Sequence, residues 1–132
     1  MTYATPHEIK LLVINALAKP REQCAKSLER AYIHSLLMTR AIQQAIPEAD
    51  CERINFYFEN WDATEEEASQ WIEQAYPELA RALDTSAEIL EIFEVKGYWR
   101  ELGFPTHEAF NKGIEDENYL LCKIMEISSS AN

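Results

Sequence analysis

The sequence predicts an all-α fold: a single-domain bundle of six to eight helices around one long helix at about residues 20–45. Apolar residues recur at steps of three and four along most of the chain, which is the spacing of one helix face. Only 3 of the 132 residues are glycine and 5 are proline, too few for a loop-rich sandwich. The length fits one domain, which we place at residues 1–127, followed by a disordered tail at residues 128–132.

The first helix is predicted from about Pro6 to Ala18. Thr5 stands in the cap position, a proline follows in the first turn, and Glu8 completes a capping box. We expect this helix to be well buried, because its apolar residues form a wide stripe. They are Ile9, Leu11, Leu12, Val13, Ile14, Ala16 and Leu17.

The long second helix follows Pro20 and continues without glycine or proline to about Ala45. Its apolar residues lie on two sides, which predicts either neighbours within a bundle or a seam between two copies of the chain. One side comprises Cys24, Leu28, Ala31, Ser35, Met38, Ile42 and Ala45, and the other Tyr32, Ile33, Leu36 and Leu37.

Residues 47–61 admit two secondary structures, because their apolar residues fit either period. A helical face would comprise Ile54, Tyr57, Phe58 and Trp61, whereas a strand would alternate Ile54, Phe56 and Phe58. We prefer the helix. This segment holds more aromatic residues than one helix side can bury, so we expect one or two to be exposed as binding anchors ringed by acid.

Two later capping boxes, each a threonine followed three residues on by a glutamate, predict further helix starts. They are Thr64 with Glu67, and Thr85 with Glu88. Tyr76-Pro77 bends or ends the first of these helices, and Leu79, Ala82 and Leu83 mark a short helix before the second box. Gly97 is predicted to end the second in the left-handed conformation.

The remainder of the chain is predicted to be helical after one turn. Residues 98–104 form that turn, Thr106 caps a short helix to about Lys112 that Gly113 ends, and Asp116 leads a last helix. The apolar residues of the last helix are Leu120, Leu121, Ile124 and Ile127.

The charge of the chain is strongly asymmetric. Its net charge is −11; residues 1–46 carry six basic and three acidic side chains, and residues 47–132 carry six basic and twenty acidic ones. A field of this sign repels phosphates, so we expect no direct nucleic-acid binding and no membrane partner. It favours a basic protein as the partner.

The predicted partner-binding residues are two acidic clusters and two tryptophans. Few of these carboxylates have a Lys or Arg four residues later, so each like-charge neighbour costs roughly a few tenths of a kcal/mol. Two explanations stay open: a solvated surface that keeps the protein soluble, or a docking surface that imitates the spaced charges of a nucleic-acid backbone. The residues are Glu59, Trp61, Asp62, Glu65, Glu66, Glu67, Glu73, Glu88, Glu91, Glu94 and Trp99.

The sequence predicts no enzyme, no metal site and no cofactor. His7, His34 and His107 have no histidine or cysteine at ligand spacing. A GxSxG nucleophile elbow is missing, and the glycines lie too far apart for a phosphate-binding loop. Catalytic and metal-ligating residues are therefore not assigned.

Two features predict a cytoplasmic protein. Cys24, Cys51 and Cys122 are odd in number and widely spaced, which is typical of reduced thiols. The first ten residues lack the basic and then apolar stretch of a signal peptide.

One segment, Gly97-Tyr-Trp-Arg-Glu-Leu-Gly-Phe-Pro-Thr-His-Glu-Ala-Phe110, combines an aromatic residue, Arg-Glu, Leu-Gly-aromatic, threonine and a second aromatic residue. Over residues 87–127 the chain resembles the helical stretch that precedes a helix-turn-helix in some phage and plasmid DNA-binding regulators. The chain departs from that pattern where a recognition helix would supply Arg and Lys, because Glu115, Asp116 and Glu117 stand there.

These observations predict a non-enzymatic, acidic regulator or inhibitor that docks on a basic, nucleic-acid-handling protein. Phage or plasmid anti-defence proteins, immunity proteins and DNA mimics share this physical type. The alternative is a subunit of a helical transcription regulator or assembly that forms a homodimer through its long apolar helix. Exposed carboxylates with few internal cations favour the first hypothesis, and a contiguous exposed apolar stripe favours the second.

Overall fold

The computed structural model describes residues 5–116 together with residues 119, 122, 123 and 125. The regular secondary structure of this part of the chain is helical, which confirms the all-α class and the helical interpretation of residues 47–61. The predictions for Leu120, Leu121, Ile124, Ile127 and residues 128–132 lie outside the described residues. The helices are α1 (Pro6–Leu17), α2 (Arg21–Gln44), α3 (Glu48–Glu59), α4 (Trp61–Ala75), α5 (Pro77–Lys96) and α6 (His107–Glu115), with a 3-10 turn at Tyr98–Arg100.

Proline and glycine place most helix boundaries where the sequence predicts them. Thr5 Oγ1 accepts a hydrogen bond from the backbone N–H of Glu8 at 3.2 Å, so the first capping box is present. Pro20 directly precedes α2, and Pro77 opens α5. Gly97 follows α5 with φ of +66°, a left-handed conformation that glycine adopts without the steric cost of a Cβ.

The two later capping boxes are wrong, because both threonines lie inside helices. α4 already begins three residues before Thr64, whose Oγ1 donates to the carbonyl of Asn60 at 2.8 Å. α5 continues without a break through Thr85, whose Oγ1 donates to the carbonyl of Arg81 at 2.8 Å. Inside a helix, threonine bonds the carbonyl four residues back. The Thr-x-x-Glu spacing therefore marks a helix start only where the preceding residues interrupt the helix.

The main core forms where α2 packs against both α1 and α5. The buried residues of α2 cover two of its sides, and within the described chain none of its large apolar side chains is exposed. The apolar residues on both sides of α2 therefore pack against other helices of the same chain. The buried residues of this core include Ile9, Ala16, Cys24, Leu28, Ala31, Ile33, Met38, Ala82, Ile89, Phe93, Phe110 and Ile114.

A second, smaller core joins α3 and α4 to the first turn of α5. Its buried residues are Ile46, Ile54, Ile72 and Leu79. Trp71 and Tyr76 pack against it, partly buried. This core positions the corner between α3 and α4.

The prediction that α1 is well buried is wrong for half of the helix. Ile9 and Ala16 are fully buried, but Leu11, Ile14 and Leu17 are exposed, Ile14 by 54%. With 3.6 residues per turn, Leu11 and Ile14 lie on the side of α1 opposite Ile9. An apolar pattern on all sides predicts burial on all sides, whereas α1 meets α2 and α5 with its inner side.

Aromatic rings and one arginine hold the turn between α5 and α6. Phe93 and Phe110 stack with their ring centroids 4.9 Å apart. Arg21 Nη2 donates to the carbonyl of Lys96 at 2.7 Å, and the guanidinium lies 4.8 Å from the centroid of the Tyr98 ring. The start of α2 therefore fixes the end of α5.

Gly113 lies inside α6 and does not end it, which corrects the predicted boundary. A Cβ at this position would lie 2.5 Å from Cε1 of Phe104. The Phe104 ring packs edge-on against Phe110 with centroids 5.5 Å apart. The position is glycine because the ring occupies the space of a side chain.

We expect Gly113→Ala to destabilise the fold although alanine is the better helix former. The helix propensity of alanine is worth about 1 kcal/mol, whereas displacing a packed ring costs about 1–3 kcal/mol. Lys112→Ala, at an exposed site of the same helix, is the matched control and should change the free energy of unfolding by less than about 0.5 kcal/mol. Urea unfolding measures both changes. A Gly113→Ala protein as stable as wild type would contradict the close packing.

His34 lies half-buried on α2. Burial lowers its pKa below the usual 6.5, the positive charge of Arg30 lowers it further, and Glu8 raises it. The folded protein thus favours the neutral imidazole. The stability that His34 contributes is fully present above pH 6.5 and is lost as the pH falls through the lowered pKa of the folded state.

We expect wild type to lose stability relative to a His34→Asn variant when the pH is lowered from about 7.5 to about 5, a range that spans histidine titration. His7→Asn, the same substitution at an exposed position of α1, is the matched control. Denaturant unfolding at each pH gives the difference. If wild type and His34→Asn show parallel pH dependence, the burial of His34 has no energetic consequence.

Candidate protein-interaction surface

The corner between α3 and α4 lies at Asn60. This residue has φ of −119° and ψ of 35°, outside the helical region, and it separates the two helices. Its Nδ2 donates to the carbonyl of Phe56 at 2.9 Å, and Thr64 Oγ1 donates to the carbonyl of Tyr57 at 3.3 Å. The Phe56 carbonyl also accepts from the backbone N–H of Asn60 at 3.1 Å, so both the backbone and the side chain of Asn60 close the end of α3. Side chains of the corner itself therefore hold its shape.

One arginine and two aromatic rings lock α3 against α4. The ring centroid of Tyr57 on α3 lies 5.9 Å from that of Trp71 on α4. Arg53 Nε donates to Tyr57 Oη at 2.9 Å, and its guanidinium lies 4.2 Å from the centroid of the Trp71 ring. Arg53 is the one cation of residues 48–75. Its contacts with the rings keep its charge at the helix interface.

Tyr76 fixes the far end of α4 to the start of α3. Its ring meets Trp71 edge-on, with centroids 5.7 Å apart, and its hydroxyl donates to Asp50. This hydrogen bond is the main reason that the pKa of Tyr76 is raised above its usual 10.0. The two helices are thus joined at both ends.

Three large aromatic side chains are exposed at the corner, more than the one or two expected from the sequence. Phe58 is 38% exposed and Trp61 is 37% exposed, and they form a pair with centroids 6.1 Å apart. Phe56 is also exposed, but it lies on a different side of α3 from Phe58. An advance of two residues along a helix turns the side-chain direction by about 200°. We call Phe58 and Trp61 the corner pair.

Further carboxylates lie on the outer side of α4, away from its buried residues Ala68 and Ile72. Asp62, Glu66 and Glu73 project from one stripe, because steps of four and seven residues return to the same side of a helix. At 1.5 Å per residue they lie about 6 Å and about 10.5 Å apart along the helix axis. All three are exposed, as are Glu65 and Glu67 on the flanks. We call Asp62, Glu66 and Glu73 the acidic stripe.

The carboxylates at the corner and along α4 have no ion-pair partner among the described residues. In the described part of the chain, no ion pair involves any of them. The carboxylates concerned are Glu59, Asp62, Glu65, Glu66, Glu67 and Glu73. The exposed aromatic rings and these carboxylates without ion pairs therefore lie on the same two helices, α3 and α4.

Two of the three acidic residues predicted on α5 lie near basic side chains or a histidine, unlike those of α3 and α4. Glu88 lines a groove of about 440 Å³ between α1 and α5, which it shares with Lys10 and Arg81. Glu94 Oε1 lies 3.8 Å from Nε2 of His107. Glu91 is exposed. The predicted site thus divides into carboxylates on α3 and α4 that form no ion pair in the described part of the chain, and carboxylates on α5 that lie beside basic side chains or His107.

Trp99, the other predicted anchor, is half-buried and packs against the main core. The guanidinium of Arg100 lies 4.9 Å from its ring centroid. The predicted list instead omits Phe56 and Phe58, which are more exposed. Helical periodicity could have predicted that Phe56 is exposed. The apolar Ile54 lies on the inner side of α3, and a residue two positions later lies on the outer side.

Within the described residues, no group of three or more His, Cys, Asp or Glu side chains is arranged to hold a metal ion. Likewise, no described helix is long and apolar enough to cross a bilayer. A comparison of the chain with protein families, curated proteins and solved structures finds no match. Function must therefore be argued from the physical chemistry of the surface.

Proposed function

We propose that the chain is a non-enzymatic, acidic, protein-binding regulator or inhibitor that docks through the α3–α4 corner on a basic, nucleic-acid-handling protein. One observation carries the proposal: the corner pair is exposed beside carboxylates that form no ion pair within the described residues. Tryptophan and other aromatic residues are the side chains that most often dominate binding energy at protein interfaces.

Charge and apolar contact would serve different steps of this binding. Uncompensated carboxylates attract a basic partner over about a Debye length, roughly 8–10 Å, and so speed the encounter. The corner pair then loses its water against the partner and slows dissociation. The corner is fixed by Arg53, Tyr57, Trp71 and Tyr76, so little ordering is needed on binding.

The nucleic-acid-handling character of the partner follows from charge spacing. A groove that binds nucleic acid presents Lys and Arg to a row of phosphates. The acidic stripe offers such a groove a row of negative charges on a rigid helix. The chain itself, with net charge −11, should not bind duplex DNA near physiological salt.

We expect a variant of the acidic stripe, Asp62→Asn with Glu66→Gln and Glu73→Gln, to associate about tenfold or more slowly with the partner at low salt. The partner is captured from an extract of the encoding organism and identified by mass spectrometry. The matched control removes the same number of charges from α5, as Glu88→Gln, Glu91→Gln and Glu94→Gln, and should slow association less. Stopped-flow mixing at several salt concentrations gives the rates.

Two results would contradict the proposal. Equal slowing by both variants would assign the attraction to net charge and not to the corner. Unchanged rates without salt dependence would mean that the acidic clusters only solvate the surface. As a further check, duplex DNA or RNA should compete with the protein for the captured partner, and the protein alone should not shift the duplex in a gel.

Self-assembly is a second candidate function, supported by the exposed side of α1. The residues of α2 that suggested a seam pack inside the chain, whereas Leu11, Ile14 and Leu17 of α1 form a contiguous exposed apolar stripe. Such a stripe on the less acidic half of the chain could pair with its copy in a homodimer.

If α1 forms such a seam, wild type should dimerise at tens of micromolar, a concentration range set by the small apolar area, and Ile14→Lys should be a 15.3 kDa monomer. Val95→Lys is the matched control, because Val95 is an exposed apolar residue on α5, 72% accessible. It should dimerise like wild type. Sedimentation equilibrium that finds only the 15.3 kDa species for wild type would remove this candidate.

A further inference from the structure

The three tryptophans of the chain differ in whether an arginine of the described chain lies over the ring. The guanidinium of Arg53 lies 4.2 Å from the ring centroid of Trp71, and that of Arg100 lies 4.9 Å from the ring centroid of Trp99. Trp61 has Phe58 as its ring neighbour at 6.1 Å and no cation of the described chain over its face. Trp61 is also the most strongly surrounded by carboxylates along the chain, with Glu59, Asp62 and Glu65 within four residues.

These surroundings match the chemistry of a guanidinium group. An arginine side chain can stack its planar head on an aromatic face and donate paired N–H groups to a carboxylate at the same time. Trp61 and Glu65 are one helical turn apart on α4 and so lie on the same side of it. Ring and carboxylate are therefore placed to contact one guanidinium together.

We propose that the corner pair, with Glu59, Asp62 and Glu65, binds arginine side chains of a basic segment of the partner protein. This inference rests on the proposed function and specifies the chemistry that the corner recognises. Charge complementarity selects a cationic occupant, because the carboxylates of the corner form no ion pair with any residue that the structure describes. The exposed rings select arginine over lysine, since lysine is a strongly hydrated point charge that lacks the planar face.

The size of the preference can be bounded. A cation–π contact at an exposed site favours binding of either cation by about two- to fivefold, and only the planar guanidinium adds stacking on the ring and paired N–H donation to a carboxylate. We expect a peptide of six arginines spaced by glycine and serine to bind about three- to tenfold more tightly than the same peptide with six lysines. Both affinities should fall with added salt, because both depend on the carboxylates.

The test is titration of the full chain with each of the two peptides at low salt. Calorimetry gives the dissociation constants, and the indole N–H resonance of Trp61, assigned by its loss in Trp61→Leu, reports contact at the site. We expect Trp61→Leu and Phe58→Leu each to reduce the arginine preference to about onefold while both proteins remain folded by circular dichroism. Phe56→Leu is the matched control, because it alters an exposed aromatic residue outside the pair and should keep the preference.

Three results would overturn the inference: equal binding of the two peptides by wild type, an arginine preference that survives in both Trp61→Leu and Phe58→Leu, or no binding of either peptide. The proposed function fails separately. Equal, salt-dependent binding of both peptides removes only the arginine specificity and leaves acidic docking in place. Unchanged association of the acidic-stripe variant with the captured partner removes the docking itself.

Discussion

The burial of α2 on two sides is the constraint on which the other features depend. A helix of 24 residues that packs against both α1 and α5 uses its apolar surface within the chain. Its polar residues in this core are also satisfied: Ser35 Oγ donates to the carbonyl of Tyr32 at 2.6 Å and lies 2.7 Å from Ser86 Oγ. Because the core is closed in this way, the remaining apolar surface appears elsewhere, on α1 and at the α3–α4 corner.

The α3–α4 corner separates structural from accessible aromatic residues. The rings of Tyr57, Trp71 and Tyr76 join the two helices. The Arg53 guanidinium makes cation–π contacts with Tyr57 and Trp71. Leaving carboxylates unpaired next to this joint costs stability through repulsion, each pair by roughly a few tenths of a kcal/mol. A chain selected for stability alone would gain by placing Lys or Arg among them. The repulsion between these carboxylates lowers stability next to exposed aromatic rings. This combination is the physical basis of the functional proposal.

Much of the fold could be predicted from the sequence, because its boundaries are set by local chemistry. Pro20, Pro77 and Gly97 constrain the backbone wherever they stand, so their positions were correctly assigned. Thr64 and Thr85 were not, since a threonine hydroxyl can bond a helical carbonyl as readily as it can cap a helix. The helix start is decided by neighbouring residues and tertiary packing, which spacing does not encode.

The candidate site could be predicted only in part. Every carboxylate proposed from the sequence is exposed, as is usual for a charged side chain without a buried partner. Which aromatic residues are exposed depends on how helices pack, so Phe58 was missed and Trp99 was chosen although it packs on the main core. Likewise, the outer side of α1 resembles its inner side in the sequence, and only the positions of α2 and α5 distinguish them.

The buried carboxylate of Glu29 has a consequence for synthesis of the chain. Its oxygens meet Lys123 Nζ at 3.2 Å and the hydroxyl of Tyr119, about ninety residues later in the sequence. Contacts of such long sequence separation require closure of a long loop. While residues up to α5 emerge from the ribosome, Glu29 must stay hydrated, and this side of α2 cannot reach its final packing. The final packing of this side of α2 is therefore coupled to the synthesis of Tyr119 and Lys123, which supply the partners of Glu29.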